Sequence, residues 1–374
     1  MPTNFTPLLT AWALTIIIIL GGVMVLELTY DPEVAIAELG DPILTDAADA
    51  GETGSEDTNN ASSGTDAQDP TISGQAETPL ETDTQLPAPG QDTTAAVPTP
   101  VEQPKGLPIK PVAELLENTS EGPLPKIADD GRLSYNVYAA PRNSDITLSR
   151  ISILITDLGK KANNTRRAVE ELPAEISLGF SVYGRDLHNW GQLARTAGHE
   201  VLLAIPMEPT GYPQNDPGPL TLLTSNAASK NARLLRSSLA RFSGYVGVVN
   251  LNGSRFIAAS DSIRPVLDEL KRRGLMFVDN RDSKYSRAAA MAKAINMPWA
   301  VNNRYLDNEL GSDEIRAQLV LLEQRARTQG AALGIARSYP VSIRVIKAWT
   351  ETLKERGFIL VPVTSIANQQ ALPR

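Results

Sequence analysis

The chain has 374 residues, 42% of them hydrophobic, which is enough apolar material for one large core or two ordinary ones. It contains no cysteine, and this excludes disulfide frameworks, thiolate metal sites and cysteine nucleophiles. The net charge of −8 divides unevenly: 17 of the 43 acidic residues but none of the 35 basic ones precede Lys105, which leaves 26 acids and a net of +9 from Lys105 onward. A mildly basic body attracts anionic glycans, headgroups or nucleic acid, and equally serves as a solvated surface.

From Met1 to Leu26 no residue is charged, and residues 8–26 come close to the roughly 20 apolar residues that cross a bilayer. A cleaved signal peptide would carry a positive leader and end on a small-x-small site. Here Val25, Leu26, Glu27 and Leu28 stand at that end, so residues 1–30 are expected to form an uncleaved single-pass transmembrane anchor. Residues 31–127 are rich in Thr, Ala, Pro, Gly, Asp and Glu and keep no helical or strand period. Such a stretch buries too little apolar surface to offset chain entropy and is expected to be a disordered linker.

The body, residues 128–374, alternates short apolar runs with amphipathic stretches. The runs at 151–155, 176–182, 201–205, 245–250, 275–278, 332–336 and 359–363 predict strands; the stretches at 164–172, 187–197, 228–242, 262–273, 312–329 and 341–356 predict helices. Gly198, Gly274, Gly330 and Gly357 each follow a predicted helix, where a left-handed C-terminal cap is expected. Repeated βα units argue an α/β protein with a parallel sheet, either a barrel or an open doubly wound sheet. In both, function belongs at the carboxyl ends of the strands.

Polar residues collect at those ends. Thr156-Asp157 closes the first strand and Glu208 follows the third; Asn250, Asn252 and Arg255 follow the fourth. Asp279 and Arg281 follow the fifth, Asp307 a later apolar segment, and Arg337 the sixth. Three have a structural reading too: Glu208 as a shaper of its loop, Asp279 and Asp307 as caps or as partners of Arg281 and Arg255. His199 falls on the amino side of a strand, where a structural hydrogen bond is expected, and His188 near a helix start at the surface. Trp190, Tyr212 and Tyr339 are candidates for stacking on sugar, with core packing as the alternative. Serine-hydrolase, P-loop, zincin and Rossmann motifs are absent.

The blocks ISILITDLG (151–159), GHEVLLAIPMEPTGYPQNDPGPLTLLT (198–224), GYVGVVNLNGSRF (244–256) and LVPVTSI (360–366) resemble the divergent polysaccharide deacetylase family across about residues 130–367. The resemblance implies a distorted (β/α) barrel of about seven repeats, of the glycoside hydrolase/deacetylase type, and metal-dependent deacetylation of carbohydrate. It also shows departures. An Asp-Asp pair in active relatives is Thr156-Asp157 here; Ala204 stands where relatives read HLPMEP, Leu251 where they read NNHMGS, and Arg337 where a later histidine often precedes a Tyr-Pro pair.

A catalytic zinc needs about three protein ligands and an open position, and Ala, Leu and Arg supply none. The resemblance with these departures implies a catalytically impaired domain with a vestigial Asp157 and no metal cofactor, binding a glycan or an envelope protein and no nucleic acid. It places the protein in the inner membrane with its C-terminal domain in the periplasm. Two alternatives stay open: an active deacetylase whose divalent metal, zinc or a harder ion, is held by Asp157 with Glu208, Asp279 or Asp307, and a structural or assembly factor of the envelope.

Overall fold

The computed structural model describes residues 107–141 and 147–372. The expected anchor, and the expected linker up to residue 106, lie outside the described residues. Residues 107–127, which composition assigns to the linker, carry a short 3-10 turn, Ala113–Leu115, and a hairpin of β1 (Leu116–Thr119) and β2 (Gly122–Pro125). The strands pair antiparallel from Leu116↔Pro125 to Thr119↔Gly122. Gly122 takes a φ of 119° at the turn, a conformation open to glycine alone. Leu115 and Leu124 are fully buried, and Arg273 donates at 2.8 Å to Glu117 Oε1 and at 2.8 Å to the Pro125 carbonyl. Two buried leucines and one arginine hold the hairpin, too few to register in the composition of the stretch.

The main sheet consists of β3 (Ser149–Leu158), β4 (Ser177–Ser181), β5 (Val201–Met207), β6 (Gly247–Asn252), β7 (Met276–Asp279), β8 (Trp299–Val301), β9 (Arg304–Tyr305), β10 (Ala331–Arg337) and β11 (Phe358–Leu360). All pairings are parallel, in the order β8-β7-β6-β5-β4-β3-β10-β9, with β11 also against β3. One edge of β3 is taken by β10 from Arg150 to Thr156; the other is shared by β11 near Ser149–Ile151 and β4 from Leu154 onward. Both faces of such a sheet are covered, so its strands read as apolar runs.

Only Asn302 and Asn303 separate the last residue of β8 from the first of β9, a span of at most about 11 Å. Asn302 N–H donates to the Asp279 carbonyl at 2.8 Å, and Asn303 N–H to the Leu333 carbonyl at 2.9 Å. The ladder therefore curls until its two ends meet at the carboxyl side, and of the two expected architectures the protein adopts the distorted barrel. Toward the amino end, Asn368 and Gln370 cover the free edge of β8: Asn368 exchanges bonds with Trp299, and Gln370 brackets Val301 at 2.7 and 2.8 Å.

Side chains alternate between two apolar layers, as strand period requires. Ile153, Ile155, Leu203, Ile205, Val248 and Phe277 pack in the larger cluster with the helices. Leu154, Leu202, Ala204, Val249, Val278 and Ile335 form the smaller, inner cluster. The helices Ala162–Glu171, Leu187–Thr196, Ala228–Leu239, Ser260–Arg272 and Ser312–Gln329 match the predicted stretches to within a turn, and Pro340–Glu351 ends five residues before the predicted 356. Gly198, Gly274, Gly330 and Gly357 have φ of 92°, 68°, 77° and 84°, the left-handed caps their positions predict. The pattern did not mark β8, β9 or the helix Ala288–Ala294, because two, three or seven residues hold too little of any period.

Candidate functional site

Three of the sequence-predicted site residues hold the chain in the left-handed region where it leaves the sheet: Asp157 at φ 64°, Asn252 at φ 54° and Arg281 at φ 56°. Asp and Asn tolerate this conformation, but an arginine there costs about 1–2 kcal/mol. The Arg281 N–H offsets part of the cost by donating to Asp279 Oδ1 at 2.8 Å. Asp186, Asn296 and Asn368 share this conformation elsewhere in the chain, so at the strand ends it is Arg281 that stands out.

Three predicted residues spend their polar atoms on this scaffold. Glu208, 3% exposed, accepts from Thr224 N–H at 2.5 Å and Thr224 Oγ1 at 2.6 Å on one oxygen, and from Arg255 Nη1 at 3.2 Å on the other. Its carbonyl also takes the N–H groups of Arg255 and Phe256, so it ties the loops after β5 and β6 together. Asn250 joins the ends of β6 and β7: its Nδ2 donates to the Asn252 carbonyl and to Asn280 Oδ1, and its Oδ1 accepts Asn280 N–H. Asp279 is buried, accepting from Ser286 Oγ at 2.6 Å as well as from Arg281. Burial pushes the Asp279 carboxyl above its ordinary range, and these donors oppose the shift.

A second group faces the mouth. Arg337 pairs in register with Thr156, and its neighbour Asp307 has a fully buried side chain. Asp307 Oδ2 accepts from Arg337 N–H at 2.7 Å and from Ser342 Oγ at 2.8 Å. Its Oδ1 has no hydrogen-bond partner, and Arg337 Nε lies 3.8 Å away. Burial, as the largest cause, lifts the Asp307 carboxyl above its usual range. The Arg337 guanidinium lies 5.7 Å from the centre of the Tyr339 ring and remains 40% exposed. Asp157 is bonded at 2.9 Å to Lys160 Nζ. The Tyr305 hydroxyl is pushed up first by burial and then by the charges of Asp282, Asp279 and Asp307, against the Arg337 guanidinium. Arg255 is largely exposed and Arg281 partly so.

Sequence reasoning did not single out Lys160, Ser342 or Tyr305. Tyr305 lies in a two-residue strand with no pattern of its own, and its spacing of two from Asp307 was the only signal.

A divalent metal does not fit this mouth. Ala204 is part of the inner apolar cluster and Leu251 packs against it. Both Glu208 oxygens are engaged, and Arg337 sets a permanent positive charge beside Asp307. Among the described residues no three His, Cys, Asp or Glu side chains are grouped to hold an ion, so Asp157, Glu208, Asp279 and Asp307 do not assemble the alternative cage. The histidines lie elsewhere. His199 is buried between the carbonyls of Ile176 at 2.8 Å and Val169 at 3.2 Å, with burial lowering its pKa, and His188 is exposed beside Gln192.

A parallel βα barrel with polar residues gathered at its carboxyl mouth is a scaffold whose ligand site, where it has one, lies at that mouth. The chain belongs to the divergent polysaccharide deacetylase family, whose description matches residues 153–367. It is similar to the uncharacterized protein YibQ of Escherichia coli K12, at 23% identity over 227 residues, 61% of this chain and 70% of that one. An uncharacterized Haemophilus influenzae protein is 25% identical over 207 residues, 55% of this chain and 73% of its own. Among solved structures, the uncharacterized protein ATU2773 from Agrobacterium tumefaciens C58 is 37% identical with a TM-score of 0.63, covering 65% of this chain and 98% of that one.

Proposed function

We propose that the body is a deacetylase-like domain with little or no catalytic activity that binds a glycan at its barrel mouth, held in the periplasm by an inner-membrane anchor at residues 1–30. One observation carries the reading: Ala204 and Leu251 lie in or against the inner apolar cluster where a metal would need imidazoles, while an arginine occupies the end of β10. Deacetylation through a bound metal needs an electrophilic cation beside the amide carbonyl, and these side chains supply neither ligand nor vacancy for one. Recognition needs only hydrogen-bond donors, acceptors and a flat ring, which Arg337, Asp157, Tyr305 and Tyr339 provide. An envelope protein is the other partner this mouth would suit.

Family membership and the retained Asp157 favour a second reading, an active deacetylase. Incubating the purified protein with chitooligosaccharides or peptidoglycan fragments, with and without added zinc, separates the two. The binding reading expects saturable binding, no acetate release and no stoichiometric metal after gentle purification. Metal-dependent acetate release that disappears in Asp157→Ala would overturn it in favour of the enzyme.

A further inference from the structure

Resting on that reading, we infer that Arg337 is a ligand-binding residue and that the sugar it receives carries a carboxylate. The guanidinium is flanked on two sides. Its Nε edge faces the buried Oδ1 of Asp307 at 3.8 Å, and its plane lies 5.7 Å from the centre of the Tyr339 ring. Neither contact consumes the Nη1/Nη2 fork. The one hydrogen bond that this fork makes among the described residues runs from Nη1 to the Tyr339 hydroxyl at 3.5 Å, the outer limit of such a bond. With 40% of the side chain exposed, the fork is presented to solvent at the mouth.

Two parallel N–H groups in a plane match the two oxygens of a carboxylate, whereas the amide carbonyl of a neutral N-acetyl sugar offers one acceptor. Of the other cations at the rim, Lys160 is paired with Asp157 at 2.9 Å and Arg255 with Glu208 at 3.2 Å, while the partly exposed Arg281 adds further positive charge. The acids that face the mouth are each held by a partner, and two of them lie against a cation. Asp157 is paired with Lys160, Asp279 is bonded to Arg281 and Ser286, Asp282 accepts from Ser254 N–H, and Asp307 is buried behind the guanidinium. At longer range the net charge of +9 from Lys105 onward draws anions toward the body. Arg337 thus supplies the fixed positive charge that a metal would otherwise bring, in a form that hydrogen-bonds an anion.

The test compares sugars that differ by a carboxylate: N-acetylmuramate against N-acetylglucosamine, and glucuronate against glucose, titrated into the full-length protein by ligand-observed NMR. Each acidic sugar is expected to bind at least about tenfold more tightly than its neutral counterpart, as a charge-assisted bidentate bond allows. The preference is expected to fall below about threefold in Arg337→Gln and to return only in part in Arg337→Lys, whose ammonium keeps the charge without the fork. The lysine variant keeps Asp307 paired, so it reports on binding even where the glutamine variant is less stable. Equal affinity for acidic and neutral sugars, or a preference that survives both substitutions, overturns the inference while leaving glycan binding standing. Absence of binding to every sugar and to peptidoglycan fragments overturns both.

Discussion

Glu208 offers the sharpest test of whether the mouth's carboxylates are chemistry or scaffold. Replacing it with alanine leaves the Thr224 N–H and hydroxyl without the oxygen they share, at 2.5 and 2.6 Å, and frees the Arg255 guanidinium. Hydrogen bonds to a charged group contribute about 1.5–3 kcal/mol each. Because 57% of the Arg255 side chain is exposed, that ion pair adds at most about 1 kcal/mol. Glu208→Ala is therefore expected to lose about 3–5 kcal/mol, as when one partner of a buried pair is removed. Glu208→Gln keeps an acceptor oxygen for Thr224 and should lose about 1–2 kcal/mol. Urea unfolding followed by the fluorescence of Trp190, Trp299 and Trp349 measures both, with unchanged slopes showing that the same surface is exposed. An alanine variant within about 0.5 kcal/mol of the parent would refute the clasp and return Glu208 to the list of residues free to act on a ligand.

Asp307→Asn should reveal its burial through pH. The folded carboxyl sits above its ordinary value of 3.8, so the folded state binds the proton more readily, and parental stability falls as pH rises from that value through the folded one, then levels. The variant lacks this contribution, so the parent's advantage over it should shrink as pH rises above the ordinary carboxylate value; parallel stability curves would refute the assignment. Arg195 is buried and donates to the carbonyls of Ile109, Ser243 and Gly244, fastening the segment around Ile109 to the barrel. Arg195→Lys should cost about 2–4 kcal/mol and open the chain near Ile109 to protease, since an ammonium cannot reach all three carbonyls. Unchanged proteolysis would show that this segment is held by other contacts.

Much of the barrel was legible because its signals are local. Apolar runs of strand length, helical periods between them, and Gly198, Gly274, Gly330 and Gly357 at the helix ends record conformations that neighbouring residues enforce on each other. The hairpin at 116–125 was not legible, since its stability comes from Leu115, Leu124 and the distant Arg273. The same reason hid the division of labour in the mouth. Glu208 meets Thr224 and Arg255, Asn250 meets Asn280, and Asp307 meets Arg337 and Ser342, all partners 16 to 47 positions away.

By itself the sequence determined the βα repeat, the family, and the absence of imidazoles from the strand ends, because each is a matter of which residue type stands at which position. Only the tertiary structure decided that the sheet closes through Asn302 and Asn303, that Asp279 and Glu208 are bound up in loops, and that Arg337 presents its fork outward from Asp307 and Tyr339. A carboxylate or guanidinium reads the same in a sequence whether it is spent or free; the difference lies in the donors and acceptors that folding brings within about 3 Å of it.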